Sequence, residues 1–153
     1  MSNPTPIGLH HVALTVSDLD ASVAWYEAVF GVRYMAEVPH DGGTAKILFH
    51  ESANVAFAIH RHDANDGALF SERTTGLDHV GLAVSTRADL ERWQDHLEQH
   101  GVVRSDTADK PLTQSPIADE PYASVLVFRD PDNIQLELFA PADTRGPVPP
   151  TSS

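Results

Sequence analysis

Two segments of the sequence place a histidine at the head of the same apolar pattern, which makes these histidines the first candidates for chemistry. The segment "HHVALTVS" (10–17) aligns with "DHVGLAVS" (78–85) without a gap, so His11 matches His79. A second ungapped match joins residues 48–60 to 127–139, and Glu137 lies in its later copy. Two imidazoles and one carboxylate suit a divalent metal ion and leave several coordination positions open.

Strand parity separates His11 from the histidine beside it. Successive side chains of a β-strand point to opposite faces, so only one of the two can face a given site. His11 shares a face with the small residue Ala13, whereas His10 lies on the face of Val12. Small residues with a few polar ones are what the wall of a cavity requires. The pattern therefore favours His11 as the residue that faces a site, although a solvated face carrying these residues by chance is an alternative.

The elements that must position these residues follow from the repeat. A helix is predicted to begin near Ser17 or Asp18 and to end at Gly31, and a second to begin at Thr86 and end at Gly101. Apolar alternation predicts strands before and after each helix. Each half therefore has the plan βαβββ. The longer second half carries its extra residues in "SDTADKPLTQSPIADEPY", which is predicted to be a loop.

We therefore expect an α+β fold of two tandem βαβββ modules within one folded domain. The predicted boundaries are an N-terminal extension over 1–7, a first module over 8–62, a linker over 63–76 and a second module over 77–141. A proline-rich segment over 142–153 is predicted to be a disordered tail.

Composition narrows the classes of partner. The chain has 153 residues and a net charge of −12, which argues against nucleic acid or an anionic membrane surface as a partner. It has no cysteine, so disulfides, thiolate metal sites and cysteine nucleophiles are excluded. No signal peptide or membrane span is predicted, and a cytoplasmic protein that acts on a small molecule is expected.

The segments "HHVALTVSDLDASVAWYEAVFG", "LDHVGLAV" and "FRDPDNIQLELF" carry a resemblance to the vicinal oxygen chelate superfamily. This superfamily includes glyoxalases, fosfomycin and bleomycin resistance proteins, epimerases and extradiol dioxygenases. The resemblance implies curved mixed sheets that enclose a metal-binding cleft, with His11, His79 and Glu137 as metal ligands. It also implies a homodimer. Ala58 falls where glyoxalase-like and epimerase-like members have a fourth protein ligand, and alanine cannot bind metal.

The resemblance implies one divalent metal ion and an enzyme. Because the fourth ligand is missing, Fe(II) chemistry similar to that of extradiol dioxygenases is favoured, with Mn, Zn, Ni or Co as other possible ions. The alternatives are a glyoxalase, epimerase, lyase or thiol-transferase type of metalloenzyme, and a non-catalytic protein that sequesters a drug.

Further candidates surround the expected metal site. His60 shares the face of Ala58 and could act as a base, although a solvent-exposed histidine at a strand end is an equally simple interpretation. Tyr122 is a second catalytic candidate. Substrate contacts are predicted for Ala58, Arg129 and Phe139. Only one of Ser124 and Val125 can face inward, and parity does not decide which.

His96 and His100, one helical turn apart, could also bind metal, but histidine is favourable near a helix C-terminus in any case.

Overall fold

The structure of the protein, a computed structural model, describes residues 2–142. The chain divides into two compact units, and the boundary between Ala68 and Leu69 falls inside the predicted linker 63–76. Apart from Ala142, the predicted tail over 142–153 lies outside the described residues. Among residues 2–142, no helix is long and apolar enough to cross a membrane.

The first unit has the predicted βαβββ order. Its elements are β1 (Val12–Thr15), α1 (Leu19–Phe30), β2 (Arg33–His40), β3 (Gly43–His50) and β4 (Val55–His62). They form a mixed sheet in the order β1-β4-β3-β2, in which β1 and β4 are parallel and the other pairs are antiparallel. The parallel pairing brings the predicted cavity faces of β1 and β4 side by side, with Ala13 opposite Ala58 and Thr15 opposite His60.

Local sequence signals explain where α1 begins and ends. The Asp18 side chain accepts a hydrogen bond from the Ala21 amide, which satisfies a donor that the first turn leaves open. At the other end, Gly31 has φ 66° and donates its N–H to the Glu27 carbonyl, a left-handed conformation that glycine adopts at little cost. Between them Tyr26 is fully buried, with its ring centroid 5.2 Å from that of Phe57 on β4. The helix therefore covers the face of the sheet opposite His11.

The second unit begins in the same way and then departs from the predicted plan. Its elements are β5 (Val80–Ala83), α2 (Arg87–Gln99), β6 (Val103–Arg104), β7 (Thr113–Gln114), β8 (Ala118–Glu120), β9 (Ala123–Arg129) and β10 (Gln135–Pro141). The sheet order is β5-β10-β9-β7-β6, and β8 also pairs with β9. The segment predicted as a loop thus contributes two short strands.

A buried glutamine holds this irregular segment against α2. The Gln114 side chain is fully buried, and its amide donates to the carbonyls of Gln94, 3.0 Å away, and Val102, 2.9 Å away. Helix α2 itself begins at a capping box, in which Thr86 and Asp89 each bond the other's backbone amide. The helical spacing of Leu90, Trp93 and Leu97 predicts an apolar stripe on this helix, of which Leu90 and Leu97 are buried and Trp93 is half-buried.

Parallel pairing of β5 with β10 creates the candidate site of the second unit. Glu137 lies opposite Gly81, and the oxygen Oε1 of Glu137 would lie 3.8 Å from a Cβ atom added at that glycine. On the other side of β10, Val125 pairs with Phe139. Because Phe139 and Glu137 share a face of β10, Val125 rather than Ser124 lies on the face of Glu137.

Candidate functional site

The first unit contains a cavity of about 470 Å³ on the face of its sheet that α1 leaves uncovered. All four strands and the residue before β1 contribute to its wall, and the side chains are small, apolar or imidazole. They are His11, Ala13, Thr15, Val38, His40, Ala45, Ile47, Ala58, His60 and His62. The face that parity assigned to His11 and Ala58 is therefore a cavity wall.

His11 lies exposed at the head of β1, and His10 contacts one of its ring nitrogens. The Nδ1 atoms of the two histidines are 2.9 Å apart, and the rings pack edge to face with centroids 5.1 Å apart. One nitrogen of such a pair must donate and the other accept. When Nδ1–H of His11 donates, its Nε2 carries the lone pair that a metal ion would bind.

In the second unit, His79 and Glu137 face each other. The distance from His79 Nε2 to Glu137 Oε2 is 3.7 Å, and the Glu137 side chain is 19% exposed. The opposite nitrogen of the ring, Nδ1, lies 2.7 Å from Asp78 Oδ1. Because a carboxylate accepts at Nδ1, the arrangement favours the tautomer with an unprotonated Nε2 directed at Glu137.

In each half, the residue before the repeated histidine contacts Nδ1 of that histidine. His10 aligns with Asp78, and each bonds Nδ1 of the histidine that follows it. Strand parity places His10 on the opposite face from His11 and predicts no role for it. The signal was nevertheless present in the ungapped repeat, since both residue types can accept a hydrogen bond at that position.

A chain of polar contacts runs from the exposed Asp78 to the buried Arg129. The Gln135 side-chain amide donates to Asp78 at 3.3 Å, and its oxygen accepts from Arg129 at 2.8 Å. Arg129 is 4% exposed and donates to both oxygens of Glu72, at 3.1 and 3.0 Å. It also donates to the carbonyls of Ala108 and Asn133. The guanidinium of Arg129, whose three nitrogens all donate hydrogen bonds, is therefore connected through Gln135 to the carboxylate that orients His79.

The hydrogen bonds from Arg129 lower the pKa of the Glu72 carboxyl to about 2. The charged pair is thus maintained throughout the neutral range. We predicted Arg129 as a substrate contact from the sequence. That contact stays a prediction, and the bonds that Arg129 makes indicate that it positions other residues.

Tyr122 and Phe139 lie together on the second unit. Their rings stack with centroids 6.5 Å apart, and Tyr122 is 66% exposed. Phe139 follows Glu137 by two residues on β10 and so lies on its face. The structure therefore places Phe139 on the face of a predicted metal ligand and Tyr122 against Phe139.

His60 is half-buried in the cavity of the first unit. Its Nδ1 lies 3.2 Å from Nε2 of His40. Burial, followed by the neighbouring His40, His62 and His11, lowers the pKa of His60, so its ring is neutral at neutral pH. Of these three histidines, the sequence predicts a site role only for His60.

The donors of the second unit fit a metal ion. Two ligands that each lie about 2.1 Å from one ion are at most about 4.2 Å apart. The 3.7 Å between His79 Nε2 and Glu137 Oε2 is within this limit. A neutral imidazole and a carboxylate are also a donor set that divalent transition metals accept.

Residues 8–138 match the family model of the Glyoxalase/Bleomycin resistance protein/Dioxygenase superfamily. No curated protein matches the chain. Among solved structures, the glyoxylase/bleomycin resistance protein/dioxygenase domain from Frankia sp. EAN1pec has a TM-score of 0.78 and 27% identity, over 92% of this chain and 96% of that chain.

Two fosfomycin resistance proteins share the fold at lower identity. FosX from Listeria monocytogenes, in a mutant form complexed with Mn(II) and 1S,2S-dihydroxypropylphosphonic acid, has a TM-score of 0.64 and 20% identity, over 91% of this chain and 94% of that chain. FosX from Mesorhizobium loti has a TM-score of 0.59 and 22% identity, over 92% and 97%. With the family model covering most of its length, the chain belongs to the Glyoxalase/Bleomycin resistance protein/Dioxygenase superfamily, the group that the repeated histidine segments predicted.

Proposed function

We propose that the protein is a divalent-metal-dependent enzyme that acts on a small molecule through two adjacent oxygen atoms, with His11, His79 and Glu137 as metal ligands. The observation that carries this proposal is the orientation of His79. Its Nδ1 is held by Asp78 at 2.7 Å, while its Nε2 faces Glu137 at 3.7 Å. A histidine held by a carboxylate on one nitrogen and directed at an acidic ligand with the other is typical of metal sites.

Each ligand has a distinct part in this proposal. His11 and His79 bind as neutral imidazoles, and Glu137 supplies negative charge. A bound divalent ion would polarise substrate oxygens and stabilise negative charge that develops on them. Ala58 offers no donor and, being 3% exposed beside Ala13, leaves room on the cavity wall. Open coordination positions thus remain for a substrate that binds through two oxygens.

The cavity of the first unit favours an apolar substrate with adjacent oxygens. In the described part of the chain, its wall contains alanine, valine, isoleucine, threonine and histidine but no lysine or arginine. A phosphonate would gain more from fixed cations than from neutral imidazoles. We therefore keep Fe(II) chemistry of the extradiol type as the first reaction to test. Mn, Zn, Ni and Co remain alternative ions, and isomerase, lyase or thiol-transferase chemistry the alternative reactions.

Two residues are proposed to act on the substrate beside the metal. His60 has a lowered pKa and lines the cavity, so it can accept a proton near neutral pH. Tyr122 is exposed and stacks on Phe139, which shares a face of β10 with Glu137, so the pair offers an aromatic surface and a hydroxyl to a substrate. The enzyme is further proposed to work as a cytoplasmic homodimer.

The test is oxygen uptake by Fe(II)-loaded protein with a panel of catechols. The wild type should consume oxygen with at least one catechol, and Glu137→Gln should not. Glu120→Gln is the matched control, because Glu120 is an exposed glutamate on β8 of the same unit. Metal binding without oxygen uptake on any catechol would exclude the oxygenase branch. A protein that binds no divalent metal would overturn the enzyme proposal in favour of drug sequestration.

A further inference from the structure

Three histidines meet at one end of the sheet in the first unit. His40 ends β2, whereas His60 and His62 lie near the end of β4. One ring nitrogen from each lies within 4.8 Å of the corresponding nitrogens of the other two. The ring centroid of His40 is 5.2 Å from that of His60 and 5.1 Å from that of His62.

Gly43, the first residue of the central strand β3, allows the three histidines to converge. In the strand register Gly43 pairs with His40 on one side and with His62 on the other, so all three positions share a face. A Cβ atom at Gly43 would lie 2.7 Å from Cε1 of His40 and 2.2 Å from the carbonyl oxygen of Arg61. The missing side chain therefore leaves the space into which the imidazoles lean.

The backbone selects the tautomer of His40 that can bind a metal. Nδ1 of His40 lies 3.0 Å from the carbonyl oxygen of Asp41, which can only accept. Nδ1 therefore carries the proton, and the lone pair of Nε2 points to Nδ1 of His60, 3.2 Å away. A histidine whose second nitrogen donates to a backbone carbonyl is the usual arrangement for a metal ligand.

This cluster is separate from the ligand set proposed above. His11 lines the same cavity, but it is not among the grouped ligand atoms, and His79 and Glu137 belong to the second unit. Arg61 lies between His60 and His62 in sequence and so points to the opposite face. The cluster thus consists of imidazoles without a carboxylate among the grouped ligand atoms.

We propose that His40, His60 and His62 form a second metal site, which binds Zn²⁺ or another ion that prefers imidazole ligands, with an open coordination position toward the cavity. Three nitrogen ligands suit Zn²⁺, Ni²⁺ or Cu²⁺ and disfavour Mg²⁺ and Ca²⁺. Three histidines with one open position are also the ligand count of a reactive zinc centre.

The required rearrangement is small. His40 and His60 already have nitrogens 3.2 Å apart, within the limit of about 4.2 Å for two ligands of one ion. His62 is exposed and has only to move by some tenths of an ångström to come within that limit. Binding would need Nδ1 of His60 to give up its proton to Nε2 or to solvent, so His60 cannot act as a base while the ion is bound.

The experiment is equilibrium dialysis of the full chain against Zn²⁺ in a His79→Ala/Glu137→Gln background, which removes two of the ligands proposed for the first metal. This double variant should still bind one zinc ion per chain. Adding His62→Ala should weaken zinc binding by more than about 100-fold, the upper figure for loss of a residue that only orients a ligand. Adding His50→Gln is the control, because His50 lies at the opposite end of β3 and should leave zinc binding unchanged.

Two results would overturn the second site: a double variant that binds no zinc, or zinc binding that survives His62→Ala. Since His62→Ala changes an exposed residue, its circular dichroism should match that of the parent, and His40→Gln provides a second variant. Histidine-selective ¹⁵N NMR should show zinc-dependent shifts for His40, His60 and His62. Neither outcome depends on whether His11, His79 and Glu137 bind a metal.

Discussion

Replacing Arg129 with methionine tests whether the hydrogen bonds of this buried guanidinium stabilise the second unit. The guanidinium is 4% exposed and bonds Glu72, Gln135 and two backbone carbonyls. Methionine keeps much of the apolar volume but makes none of these bonds. The variant therefore leaves several polar groups of the interior without their donor.

The size of the effect follows from burial. Removing one partner of a buried ion pair costs about 3–5 kcal/mol. The Glu72 side chain is 32% exposed and can regain water, so we expect the lower end, about 3 kcal/mol. Arg87 is the matched control, since it also bonds two acidic side chains, those of Glu91 and Asp119, but is 47% exposed. Arg87→Met should cost no more than about 1 kcal/mol.

The assay is urea denaturation at pH 7, followed by tryptophan fluorescence, to which Trp93 on α2 of the same unit contributes. The free energy of unfolding should fall by about 2 kcal/mol more in Arg129→Met than in Arg87→Met. Equal losses of unfolding free energy in the two variants would refute the reasoning. They would mean that burial does not increase the contribution of the ion pair to stability.

Three further predictions concern single contacts. The Arg129 bonds lower the pKa of Glu72 from 4.5 to about 2 in the folded protein, so its contribution is complete above about pH 4.5 and is lost as the pH falls toward 2. The stability difference between wild type and Glu72→Gln should therefore shrink over that range in acid denaturation, and a constant difference would contradict it. Asp78→Ala should weaken metal binding by about 10–100-fold in titrations while leaving the urea midpoint close to wild type, because Asp78 orients His79 from an exposed position. Thr86→Ala should lower the free energy of unfolding by about 1 kcal/mol in urea, since the capping box with Asp89 is lost; an unchanged midpoint would show that the cap contributes nothing.

Much of the first unit could be predicted because its signals are local. The N-cap at Asp18, the left-handed Gly31 and the alternation that assigned His11 and Ala58 to one face are properties of a few neighbouring residues. The internal repeat then carried the same interpretation to His79. The family assignment rests on these same segments, and the family model confirms it.

The face on which His40 lies could not be predicted from strand parity, because a bulge changes the parity within its strand. The register of β2 against β3 shifts between Tyr34 and Ala36. Tyr34 pairs with the buried Leu48, and without the shift every second residue up to His40 would lie on that face. The extra residue turns Ala36 and His40 to the cavity face instead. No turn residue in the sequence marks this bulge.

The network around Arg129 could not be predicted because its partners are far apart in the sequence. Glu72 precedes Arg129 by 57 residues, and Gln135 and Asp78 are also separated by 57. Such pairs depend on how β5, β9 and β10 align. The short strands β7 and β8 are similar, since β8 forms by pairing with β9, and β7 by pairing with β9 and β6.

The most direct test of the central claim is Mn²⁺ binding, followed by electron paramagnetic resonance on the full chain. Mn²⁺ favours a site that includes a carboxylate over one made of imidazoles alone, so it reports on Glu137 rather than on the three-histidine cluster. We predict one Mn²⁺ per chain in the wild type and in Glu120→Gln, and loss of binding in Glu137→Gln and His11→Ala. Mn²⁺ binding that is unchanged in Glu137→Gln, or absent from the wild type, would contradict the proposed metal centre.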